Sequence, residues 1–189
     1  MATNQENFRA WYVDILGTLY LHRGAGFAIV MIAFPLLERY LRNKAGLAVG
    51  ASLDTRFHKE LIALFPDIGD DVATATNFWQ IYRHGLLHEV TFSRENQKGK
   101  AMPVGSLTHD ISGIQRYSDG NFSVHPVDFA KRVAQIIQDD FSTFEGTASV
   151  GQLPSVQQTA PGIENSTGPF VLHTVCKTGE PGDIPWLKS

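Results

Sequence analysis

Arg83, His84 and His88 lie in one short run, Trp79-Gln-Ile-Tyr-Arg-His-Gly-Leu-Leu-His-Glu89, and no other stretch of the chain has an equal claim to chemistry. An arginine can hold a phosphate through its guanidinium fork, and a neighbouring histidine can take or give a proton near neutral pH. On a regular α-helix the five-residue step from Arg83 to His88 turns about 140°, so the two side chains are not stacked. A long arginine can still swing toward the histidine, and Gly85 between them permits local distortion. Together they form a minimal metal-free kit for cutting RNA. His88 would deprotonate or orient a 2′-hydroxyl, Arg83 would stabilise charge on the scissile phosphate, and a cyclic phosphate would result. The competing reading is a polar seam between helices, with Arg83 paired to Asp70, Asp71 or Glu89 in a surface ion pair that contributes little.

Metal binding is a third reading, because His84 and His88 are four apart on one helix face with Glu89 adjacent. The acid expected between two such histidines in a zinc peptidase is missing, and no second ligand cluster is evident, so no metal or other cofactor is expected. The chain has no glycine-rich phosphate loop, no paired-cysteine zinc pattern and no serine nucleophile elbow. Cys176, the single cysteine, sits in a low-complexity stretch and is a poor candidate for a catalytic thiol. His58, His109, His125 and His173 have no local support for chemistry and are read as structural, His125 simply preceding a helix that opens at Pro126.

The elements that must position Arg83 and His88 follow from periodicity. The 189 residues suit one ordinary domain, and 43% apolar against 19% charged residues describes a globular chain. A net charge of −3 argues against a protein that coats nucleic acid non-specifically. The first hundred residues are nearly balanced and the remainder carries the acidic excess, so an anion site belongs to the first half. A lone cysteine excludes an internal disulfide and suits a reducing compartment. No export signal is apparent, and the greasiest run, Gly24 to Leu37, is short for a membrane span and reads as a buried core helix, so a cytoplasmic protein with no membrane partner is expected.

Phe8, Trp11, Tyr12, Ile15, Leu16 and Leu19 predict a helix over 6–20. A second should run from Ala25 to Lys44, kinked at Pro35 and stopped at Gly46. Ser52 or Asp54 would cap a third, with Phe57, Leu61, Leu64 and Phe65 as its buried stripe. A fourth would start at Asp70 or Asp71, bury Ala75, Phe78, Trp79, Tyr82 and Leu86, and carry the Arg83 to His88 run. After the polar loop Arg94 to Lys100, short strands are expected over 101–108, 114–117 and 122–124, the last two joined by a hairpin at Ser118-Asp-Gly-Asn121. A long helix from Pro126 to Phe144 completes a mainly α domain over 1–144, a bundle of about four to five helices with a small β insertion at about 100–124. Residues 145–189, rich in Gly, Pro, Ser and Thr, read as an irregular tail or linker in which Phe170 to Val175 could form a strand and Trp186 could dock.

The hexapeptide Arg83-His-Gly-Leu-Leu-His88 resembles the signature of the HEPN superfamily, an arginine, a polar residue, a few further positions and a histidine near the end of a helical domain. The surrounding Phe78 to Glu89 is similar to the Arg-Asn/Cys-Gly-Leu-Leu-His form found in uncharacterised bacterial members. The resemblance is close over the motif and loose over residues 6 to 92. It implies a helical bundle, a homodimer that brings two motifs into one cleft, and a metal-independent ribonuclease acting on RNA, with an antitoxin-type protein as a further partner. Carried over, Arg83 is the phosphate-binding arginine, His88 the catalytic histidine and His84 the polar, substrate-contacting second position, which is more often Asn or Asp in the family. The alternative is a non-catalytic helical module for dimerisation or interaction.

Overall fold

Thr3 opens the first helix with a capping box. Its hydroxyl accepts the Glu6 N–H at 3.2 Å, and the Glu6 carboxylate accepts the Thr3 N–H at 2.6 Å, so two donors left over at the helix start are satisfied. The chain is described by a computed structural model over residues 3–48, 50–89 and 103–146, with backbone alone for 84 and 86–89. The predicted tail from 147 onward, including its strand and Trp186, and the polar loop Arg94 to Lys100 lie outside the described residues.

The helix expected over 6–20 is three pieces, α1 (Asn4–Phe8), a π-helical segment Arg9–Val13, and α2 (Asp14–Leu19). The wider turn shifts the buried face. Phe8 and Leu16 are buried and Tyr12 packs beside them, whereas Ile15, assigned by a uniform 3.6-residue period to the same stripe, is 49% exposed. The long apolar run forms α3 (Gly26–Lys44), which passes through Pro35 without interruption. The span Arg23–Lys44 is long and apolar enough to cross a membrane by length and composition, yet half of its most apolar window is buried inside the fold.

Asp54 caps α4 (Thr55–Leu64), accepting from the N–H groups of Arg56 and Phe57, and Asp71 caps α5 (Val72–Trp79), accepting from Thr74 N at 2.7 Å. A π-helix, Gln80–Glu89, continues directly from α5. The sheet follows as β1 (Gly105–Leu107), β2 (Ile114–Arg116) and β3 (Phe122–Val124), ordered β1-β3-β2. β2 and β3 form the antiparallel pair expected from the Ser118 to Asn121 turn, where Gly120 takes a left-handed conformation at φ 86°. β1 lies parallel to β3, a pairing with no local sequence signal. The single long helix expected from Pro126 to Phe144 is broken. α6 (Pro126–Asp139) ends at Asp140, whose side chain caps the short α7 (Phe141–Glu145), and Asn43 and Arg39 of α3 hold the α7 carbonyls at 2.9 and 3.0 Å.

The protein is thus mainly helical with a small three-stranded sheet, and its centre is aromatic. Phe34 on α3 is fully buried and meets Tyr82 at 5.7 Å and Phe129 of α6 at 4.7 Å between ring centroids, both stacked, with Trp79 edge-on at 5.6 Å. β1 presses closely on the π-helix. A Cβ at Gly105 would sit 2.7 Å from Ile81 Cγ2 and 2.9 Å from Tyr82 Cζ, so Gly105→Ala is expected to lower unfolding free energy by about 1–3 kcal/mol in urea titration.

Candidate active site

Five-residue spacing has a different meaning here than on an α-helix. In a π-helix each N–H reaches back five residues, with roughly 4.4 residues per turn, so positions i and i+5 lie about 50° apart around the axis. Over Gln80–Glu89 this sets backbone position 88 a little over one turn beyond position 83, about 50° round the axis. On an α-helix the same step turns about 140°. Gly85, buried inside this helix, contributes no side chain to the wide turn.

Arg83 is partly buried, its side chain 30% exposed, and it grips Glu38 of α3. Nε lies 2.7 Å from Oε2 and Nη2 3.4 Å from Oε1. Glu38 also accepts Arg42 Nε at 2.9 Å, and Arg42 Nη1 donates to the Ala51 carbonyl at 2.8 Å. One carboxylate is thus shared by two guanidinium groups. Glu38 of α3 is an ion-pair partner of Arg83 that lies far from it in sequence, and the side chain of Glu89, one of the local acids considered, lies outside the described residues. Asp71 is engaged at its own cap, where it also accepts the Thr74 hydroxyl at 2.6 Å and is held below the usual carboxylate range by those bonds. Glu38 was missed because it is 45 residues away. Its one signal was a charge where the apolar run of α3 ends, with Arg42 one turn on. The side chains of His84, Leu86, His88 and Glu89 lie outside the described residues.

Tyr82 anchors the π-helix to the sheet. Its hydroxyl lies 3.0 Å from both the Ser106 and Phe122 carbonyls and accepts the Ser106 N–H at 3.1 Å. Burial pushes this phenol above its ordinary value near 10. An unfolded tyrosine loses its proton from about pH 10 upward while the folded one retains it, so the unfolded chain binds fewer protons there. The stability that this group contributes is intact below pH 10 and is lost as pH rises beyond it. Urea midpoints measured from pH 9 to 11 should fall, and should fall less steeply in Tyr82→Phe.

An open groove of about 370 Å³ is lined by Val104, Ser106, Tyr117, Asp119, Asn121 and Ser123 of the sheet and its flanking turns. Among its described lining residues it offers hydroxyls, an amide and an acid but no cation. No group of three or more His, Cys, Asp or Glu side chains gathers for a metal among the described residues. No family model, curated protein or solved structure matches the chain.

Proposed function

We propose that the protein is a HEPN-like, metal-independent RNA endonuclease in which Arg83 binds the scissile phosphate, His88 moves the 2′-hydroxyl proton and His84 contacts the substrate. The supporting observation is the π-helical stretch Gln80–Glu89, whose i to i+5 ladder suits an arginine and a histidine five apart acting on one phosphate. Arg83, steadied by Glu38, would approach the phosphate with its guanidinium orientation already restricted. As in the family it resembles, the active unit would be a cytoplasmic homodimer with two motifs in one cleft, restrained by an antitoxin-type partner. Incubation of the purified protein with mixed RNA, with and without EDTA, tests this. Chelator-resistant cleavage leaving cyclic phosphate ends supports the proposal, and intact RNA in every condition overturns it.

One observation favours a second reading. The Arg83 to Glu38 pair joins two helices through a carboxylate whose side chain is only 12% exposed, which is what a polar seam in a non-catalytic interaction module requires. On this reading Arg83→Lys would change stability and leave nothing catalytic to lose.

A further inference from the structure

His109 and His125 come from separate segments, the loop between β1 and β2 and the residue before α6, yet their rings meet. His109 Nδ1 lies 3.4 Å from His125 Nε2, with ring centroids 5.1 Å apart and planes at 87°. Each ring's other nitrogen is also held. His109 Nε2 lies 3.3 Å from the Arg23 carbonyl, and His125 Nδ1 lies 3.2 Å from Asp128 Oδ2 and 3.1 Å from Asp128 N. Two nitrogens bound to one tetrahedral zinc at about 2.0–2.1 Å are themselves about 3.3 Å apart. Histidines that ligate metals characteristically donate their remote N–H to a carboxylate or a backbone carbonyl. The spacing is met here, His109 Nε2 already faces a carbonyl, and His125 Nδ1, which now accepts the Asp128 N–H, has the Asp128 carboxylate within reach.

From this we propose that His109 Nδ1 and His125 Nε2 form a binding site for a borderline divalent cation of the zinc type, with solvent completing the coordination sphere. The metal-free arrangement is a consistent chain of neutral tautomers. Asp128 N–H donates to His125 Nδ1, His125 Nε2–H donates to His109 Nδ1, and His109 Nε2–H donates to the Arg23 carbonyl. Metal entry requires one change of tautomer. The proton on His125 Nε2 leaves and one is taken up at Nδ1, which then donates to Asp128 Oδ2, a carboxylate already fixed near Gly113 N at 3.3 Å. The α6 cap bond from Asp128 N to His125 is exchanged for that bond, and no net proton is released. His109 already has the tautomer that coordination needs. Each lone pair must turn roughly 35° off the line between the two nitrogens, which solvent-exposed His109 can do. The bound ion would pin the β1–β2 loop to the start of α6 and to the turn at Arg23. It would act there as a clamp, on residues separate from the Arg83 and His88 reading.

Titration of the full chain with Zn²⁺ in a calorimeter tests the site. One ion per chain is expected, weakened at least about tenfold in His109→Ala and retained in the His84→Ala/His88→Ala double variant. His109 caps no helix, and circular dichroism of the variant checks its fold. Zinc-edge X-ray absorption of the wild-type complex supplies an independent readout, with two imidazole nitrogens expected. No binding at millimolar Zn²⁺ overturns the proposal, as does binding untouched by His109→Ala or lost only in the double variant.

Discussion

His88→Ala is expected to lower chelator-resistant RNA cleavage by about 10²- to 10⁴-fold, the usual loss when a positioned general acid or base is removed. The comparison must be made on protein whose stability and oligomeric state match the parent, since the substitution lies on the helix that Tyr82 anchors to the sheet and Gly105 packs against. Arg83→Lys separates chemistry from charge. A lysine keeps the positive charge but loses the planar fork, and with it the side-on contact that Nε and Nη2 make to Glu38. Under the nuclease reading its activity falls while the salt dependence of RNA binding is preserved, because a phosphate still meets one cation. Equal cleavage by parent and His88→Ala would remove His88 from the chemistry and leave the seam between helices as the account of this motif.

What was legible in the residues was what is local. Asp54 and Asp71 announce their helices because a cap needs only the next three residues, and Ser118 to Asn121 announces a hairpin because the turn type is set by Gly120. The apolar run from Phe27 onward reads as a core helix for the same reason. Three things were not legible. The parallel alignment of Gly105–Leu107 with Phe122–Val124 depends on what lies between and beneath the strands. The π-helical turns depend on packing that accepts one extra residue per turn, which no periodicity scan set at 3.6 can anticipate. The pairs Arg83 with Glu38 and His109 with His125 join residues 45 and 16 positions apart, and no local signal links either residue to its partner. The break at Asp140 was hidden because the apolar spacing of Val133, Ile137, Phe141 and Phe144 continues across it, while the capping oxygen of Asp140 restarts the helix.

Phe34→Ala carries the largest expected effect on stability, about 3–5 kcal/mol in urea or thermal unfolding. The ring is wholly buried at the point where α3, α5, the π-helix and α6 converge, and it touches Phe78, Trp79, Tyr82 and Phe129. Those neighbours cannot close the cavity easily. Tyr82 is tied to two strands through its hydroxyl, and Trp79 is wedged against Phe57 at 4.8 Å. The cost should therefore lie near the top of the range for aromatic truncation, with Phe34→Leu costing much less because most of the volume is kept. The same cavity would undermine the face on which the π-helix rests, so any activity that depends on Arg83 should fall in Phe34→Ala and recover partly in Phe34→Leu. A loss below about 1.5 kcal/mol would mean that the helices slide together to fill the space, and that Tyr82 and the sheet, not the stack on Phe34, hold Gln80–Glu89 in its register.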